Sequence, residues 1–130
     1  MPTEPNWRWP NFSPDELRCK HTGEMRMDPA FLDRLQRLRS ALGFALPVTS
    51  GFRSPSHPEE AKKARPGAHA QGRAVDIAIG GPQLYTLLTY APALGFTGLG
   101  VSQRDGQPRF VHLDDISGSP YIARPMVWSY

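Results

Sequence analysis

The chain has 130 residues, a length that suits one domain with a real core, and carries a formal net charge of +3. Its single cysteine, Cys19, excludes an intramolecular disulfide framework and a thiolate zinc cluster, so a metal site must be built from His and carboxylate groups. The basic residues are scattered apart from Lys62, Lys63 and Arg65, which argues against nucleic acid as a partner and suits a polyanionic surface such as a bacterial cell wall.

Residues 1–11 read as an extended arm, because Pro2, Pro5 and Pro10 each remove a donor and restrict the residue before them. The arm has no hydrophobic signal core, and no apolar run approaches the ~20 residues of a membrane span. We therefore expect no membrane partner and synthesis in the cytoplasm, with lysis or carriage on a phage particle as routes to a cell wall. Ser13, Pro14 and Glu16 form a capping box with proline at the first helical position, so a short helix starts there and stops near Cys19. Asp28-Pro29 starts a second helix, in which Phe31, Leu32, Leu35, Leu38 and Leu42 recur at three- and four-residue intervals until Gly43.

Leu46, Val48 and Ser50 alternate with Pro47, Thr49 and Gly51, which predicts a short strand entering the turn Gly51-Phe52-Arg53-Ser54-Pro55. Val75, Ile77 and Ile79 alternate with Asp76 and Ala78 in a second strand, with Asp76 on the face opposite the Val/Ile stripe. Residues 82–94 carry Leu84, Leu87, Leu88 and Ala91 at helical spacing. Residues 98–101 and 109–113 then read as a hairpin around Asp105-Gly106. In the tail, Met126, Val127, Trp128 and Tyr130 are apolar enough to be expected over the core. The sum is an α+β domain with a small antiparallel sheet packed with helices, spanning 12–130 after the arm.

Within this frame His69, Asp76 and His112 stand out. Catalytic zinc takes three protein ligands of N, O or S type and keeps a position for water, so two imidazoles and one carboxylate form a hydrolase site if they converge. Singly, His69 reads equally as a hydrogen-bonded loop histidine and Asp76 as a turn carboxylate. His57 assists near the metal or is a polar loop residue. Arg53 is a fork for a substrate carboxylate or carbonyl, or a bridge to a loop carbonyl. Cys19 and His21 form a Cys-x-His pair without a second pair, which argues against a structural zinc. Trp7, Trp9 and Trp128 either stack on sugar rings or pack on the core.

Taken together, Ser50-Gly51-Phe52-Arg53-Ser54-Pro55, the His69-x6-Asp76 run and Phe110-Val111-His112-Leu113-Asp114 resemble the zinc D-Ala-D-Ala carboxypeptidase family. That family includes phage endolysins that cut L-alanyl-D-glutamate bonds, and its fold is shared by the hedgehog signalling domain. The resemblance runs from about Phe12 to Tyr130, with its nearest flavour among small phage or prophage members. It implies that His69, Asp76 and His112 hold zinc and that an amide bond in the peptidoglycan stem peptide is hydrolysed by a carboxypeptidase or endopeptidase, acting as a monomer. Arg53 or His57 would stabilise the oxyanion.

Two departures matter. Many relatives carry Asp or Glu three residues before the last zinc histidine, where this chain has Arg109, which cannot serve as a base. Asp114 shares a strand face with His112 and is the expected base, with the alternative that it orients a ligand histidine. Asp105 in the turn is a second candidate, and Asp115 faces the other way. The second departure is Gly67, where relatives often carry Ser. The missing carboxylate at Arg109 leaves open a non-catalytic, zinc-containing module that binds cell wall or protein. A virion component carrying this domain at a tail tip is a third reading, of location rather than chemistry.

Overall fold

The computed structural model describes residues 6–130, so Pro2 and Pro5 of the expected arm lie outside it. Four α-helices, a 3-10 turn and five strands follow in the order α1 (Pro14–Leu17), α2 (Pro29–Leu42), β1 (Val48–Ser50), α3 (Pro58–Ala61), β2 (Ala74–Ile77), α4 (Gly81–Tyr90), the 3-10 turn (Pro92–Leu94), β3 (Gly98–Ser102), β4 (Phe110–Asp114) and β5 (Met126–Ser129). The architecture is the α+β type that the sequence predicts.

Local signals place the helix ends. Ser13 accepts from the Glu16 amide while the Glu16 carboxylate accepts from the Ser13 amide at 2.9 Å, a reciprocal capping box. Asp28 accepts from the Phe31 amide at 3.1 Å, and Gly43 closes α2 in the left-handed region at φ 75°. The expected helix over 82–94 is divided instead. Pro92 ends α4, because it has no amide to continue the ladder, and the chain turns through a single 3-10 turn. Sequence reading missed α3, although His57-Pro58-Glu59-Glu60 carries proline and two acids in a first helical turn.

The sheet order is β1-β2-β4-β3-β5. The first three pairings are antiparallel, as expected, but β5 adds beside β3 in parallel, so the sheet is mixed. One face carries Val75, Ile77, Val111 and Leu113, all fully buried with Phe31, Leu32, Leu35 and Leu38 of α2 and Leu84 and Leu87 of α4 in one core. The period of two then sends Asp76, His112 and Asp114 to the other face.

The tail corrects an expectation, and the tryptophans near the start of the described residues take the core-packing alternative. Trp9 is buried in the core with Trp7 packed against it, and the Trp9 indole donates to Asp33 on α2 at 2.9 Å. Residues 7–9 are thus fastened to the domain. In the tail, Val127 is 65% exposed and Tyr130 53%, so β5 does not roof the core. It extends the sheet and sends Trp128 to the polar face.

Candidate metal centre

A row of side chains crosses the polar face. Asp76 on β2 pairs in register with His112 on β4, His112 with Gly100 on β3, and Gly100 with Trp128 on β5. A Cβ at Gly100 would come within 2.5 Å of the Trp128 indole nitrogen, so glycine there is what lets the indole lie across β3 and reach His112, with ring centroids 5.1 Å apart. One row over, a Cβ at Gly98 would collide with the Asp114 carboxylate. Two glycines in β3 hollow out the sheet for its polar groups.

His69 reaches the row from the loop before β2. Gly72 in that loop has φ 71°, and a Cβ on it would strike the Arg26 carbonyl, so no other residue fits the turn. The Gly51-Phe52-Arg53 turn supplies the second constraint: the Phe52 amide donates to Leu17 O at 2.8 Å, and Gly51 O then faces His69 Nδ1 at 2.7 Å. The third constraint is Glu60 of α3, buried, which binds Lys63 at 2.7 Å and accepts from the Gly67 amide at 3.0 Å. Glycine at 67 leaves room for the Lys63 ammonium.

The three expected ligands converge. Asp76 Oδ1 lies 3.3 Å from His69 Nε2 and 3.3 Å from His112 Nδ1, and all three ligand atoms fall within 4.8 Å of one another. Tetrahedral zinc with bonds of about 2.0–2.1 Å spaces its ligand atoms roughly 3.3 Å apart, so the set fits such an ion. The outward nitrogens agree with this: His69 Nδ1–H donates to Gly51 O, and His112 Nε2–H donates to Asp114 at 2.6 Å. Each imidazole thereby turns its other nitrogen to the shared point.

Electrostatics couple the three groups. Burial pushes the His69 imidazole below its ordinary value, outweighing Asp76. Burial also disfavours charge on His112, but hydrogen bonds to Asp114 and Asp76 outweigh it and raise the imidazole. Burial would raise Asp76, but the two imidazoles 3.3 Å from its Oδ1 outweigh that cost and hold it well below the carboxylate range.

The remaining expected residues separate. Asp114 shares the face of His112, but its carboxylate is fully buried, bound on one side by His112 Nε2 and on the other by the Arg124 guanidinium at 2.9 and 2.6 Å. Burial alone would raise its pKa; the two partners bring it down to about 2. It therefore meets the imidazole at the nitrogen turned away from Asp76, the placement expected of a carboxylate that orients a ligand histidine. Arg124, which sequence reasoning did not single out, completes the clamp, with its guanidinium 5.0 Å above the Trp128 ring. An arginine in a Pro-flanked tail has no local signal for such a partner.

Arg53 lines the cleft beside the triad, with Nη2 3.7 Å from Asp76 Oδ2 and a buried Nε that has no hydrogen-bond partner. His57 is not brought to the cleft: it caps α3, its Nδ1 accepting from the Glu59 amide at 3.1 Å. Asp105 is fully exposed in the hairpin turn and binds Arg109 at 2.8 Å, so neither folds back over the site. Asp115 faces away, as expected, and binds Arg73 at 2.8 Å. Cys19 is buried, its sulfur accepting from the Ser54 amide at 3.5 Å, while His21 is exposed.

The cleft has a volume of about 710 Å³, within the range of small-ligand and peptide sites, and is walled by the triad, Arg53, Glu59, Trp128 and the loops 63–68 and 121–124. A search among curated proteins finds no match to the chain. The family model described as Peptidase M15 matches residues 10–114, which takes in α1, the Gly51-Phe52-Arg53 turn, all three candidate ligands and Asp114, and leaves Arg124 and Trp128 beyond its end. With the match covering most of its length and the His-Asp-His cluster inside it, the chain belongs to the Peptidase M15 family.

Proposed function

We propose that this chain is a zinc metallopeptidase that hydrolyses an amide bond in the stem peptide of bacterial peptidoglycan. The observation that carries the reading is the convergence of His69 Nε2, Asp76 and His112 Nδ1 at zinc spacing, on the wall of a peptide-sized cleft, in a Peptidase M15 chain. Zinc held by these three would supply a Lewis acid and a water of lowered pKa.

The chain's own residues take the other roles. Asp114, clamped by Arg124, holds His112 in the tautomer that frees Nδ1, a positioning role rather than that of a base. Arg53 lines the cleft with its Nη2 beside Asp76, so it is assigned to the oxygen on which charge develops. Glu59 is the cleft-lining carboxylate outside the ligand set among the described residues, and proton transfer to the leaving amine is assigned to it.

Purified sacculi incubated with the zinc-loaded chain test this reading. Labelling and hydrolysis of newly released amino groups identifies the residue on the leaving side of the cut bond, alanine for a carboxypeptidase and glutamate for an L-alanyl-D-glutamate endopeptidase. A module that only binds cell wall releases no amino group, and that result would remove the enzyme reading.

A further inference from the structure

Four cations line the metal cleft, and three are already committed to carboxylates. Arg53 is paired with Asp76, Lys63 with Glu60, and Arg124 with Asp114. Arg65 has no carboxylate partner among the described residues. Its guanidinium carbon instead sits 3.5 Å above the centroid of the Tyr121 ring, which also lines the cleft. The stack joins two segments of the cleft wall, since Arg65 belongs to the loop after α3 and Tyr121 to the loop after β4.

Neither segment is loose at this point. Glu60 fastens the first loop through Lys63 and the Gly67 amide. In the second, Ser119 Oγ accepts from the Tyr121 and Ile122 amides at 3.1 Å each, and Ser119 N donates to Ile122 O at 2.8 Å. An exposed guanidinium held over an aromatic ring keeps N–H groups of its fork free, and the fork is the part that binds a carboxylate in bidentate fashion. The ring holds the side chain in place without neutralising it.

From this we infer that Arg65, carried on Tyr121, is a specificity residue of the cleft that takes a free carboxylate of the bound peptide, which makes the preferred substrate an acidic peptide. The inference rests on the peptidase reading for its substrate but not for its chemistry. Two sources of the carboxylate exist in a stem peptide: the terminal α-carboxylate of a D-alanyl-D-alanine end, and the free carboxylate of a D-glutamyl residue.

Calorimetric titration of the zinc-loaded full chain with uncleavable methyleneamino analogues separates these cases. The probes are a D-alanyl-D-alanine analogue as acid and as terminal amide, and an L-alanyl-D-glutamyl analogue as acid and with the glutamyl carboxylate amidated. Arg65→Ala is expected to weaken binding of one acid about tenfold and to leave its amide unchanged, as for loss of a charge-assisted hydrogen bond at a partly exposed site. The acid that responds names the source. Arg65→Lys keeps the charge but loses the fork and the stack, and should fall between. Tyr121→Leu should shift binding in the same direction by less, through loss of the platform.

Equal losses for acid and amide, or no loss with either acid, would overturn the inference. Failure of the peptidase reading looks different: sacculi would release no amino groups while Arg65 still discriminated acid from amide.

Discussion

Asp114 illustrates how a residue's partners decide what it can do. A carboxylate with a pKa of about 2, shared between an imidazole N–H and a bidentate guanidinium, holds its charge throughout the working range and has three of its lone pairs already engaged. Its substitution should therefore act through the metal. Asp114→Asn is expected to lower zinc affinity about 10–100-fold, read by competition with a chromophoric chelator, and to regain activity as zinc is raised. If the variant bound zinc normally and lost only turnover, Asp114 would be the base. Glu59→Gln is expected to show the converse, normal zinc content with reduced kcat. His57→Ala should leave zinc content unchanged and cost stability alone, about 1 kcal/mol for a lost helix cap.

Glu60 gives a pH-dependent case away from the ligands. Burial would raise its carboxyl, but the Lys63 ammonium and the Gly67 amide outweigh this and set it below its ordinary value of 4.5. A carboxylate lowered on folding contributes stability that is present above the unfolded value and is lost as pH falls through the folded one. The stability difference between the wild type and Glu60→Gln should be full at neutral pH and should close as the solution is acidified below 4.5, measured by urea unfolding at a series of pH values. A difference that did not vary with pH would remove the charge from the account.

Among the elements, β3 and β5 do most to shape the site. Gly98 and Gly100 make no side-chain contacts of their own, yet they give space to Asp114 and Trp128. Gly100→Ala should force the indole off His112, costing about 1–3 kcal/mol as an overpacked position and changing the Trp128 fluorescence response to zinc. Unchanged stability and fluorescence would show that the indole has room to spare.

This part of the molecule was also the least legible in the sequence. The capping box at Ser13, the Asp28-Pro29 start and the Asp105-Gly106 hairpin lie within a few residues of the structure they specify, and each is found where expected. His69, Asp76 and His112 were visible for a related reason, since each sits in a local motif whose strand period decides its face. The parallel pairing of β5 with β3 and the reach of Arg124 to Asp114 depend on how the chain returns across the sheet, and nothing local to 124–130 records it. The apolar tail was read as core cover because hydrophobicity reports burial without saying against what. The strand period puts Asp114 on the face of His112, but its second partner, Arg124, lies ten residues on in the approach to β5 and has no mark in the local sequence.

At the scale of the whole molecule, the sheet divides two kinds of stability. Below it, α2 and α4 close an apolar core that requires no ligand. Above it, two buried histidines, the buried Asp114 and the half-buried Asp76 face one another, an arrangement that a cation bound only by the folded state should stabilise by mass action. The chain should thus remain folded without metal and gain about 2.7 kcal/mol at zinc a hundredfold above its Kd, seen as a rise in Tm. No helix among the described residues is long and apolar enough to cross a membrane. The cleft lies on the polar side of the sheet, and the loop that carries Arg65 meets the loop that carries Tyr121 in its wall.

The central claim, that His69, Asp76 and His112 form a zinc centre on which amide hydrolysis depends, is tested most directly by amino-group release from sacculi before chelation, after chelation and after zinc is restored, alongside His69→Ala. The account predicts release that stops on chelation, returns with about one zinc per chain, and is absent in His69→Ala at every zinc level. Release that continues unchanged without metal, or that persists in His69→Ala, would contradict it.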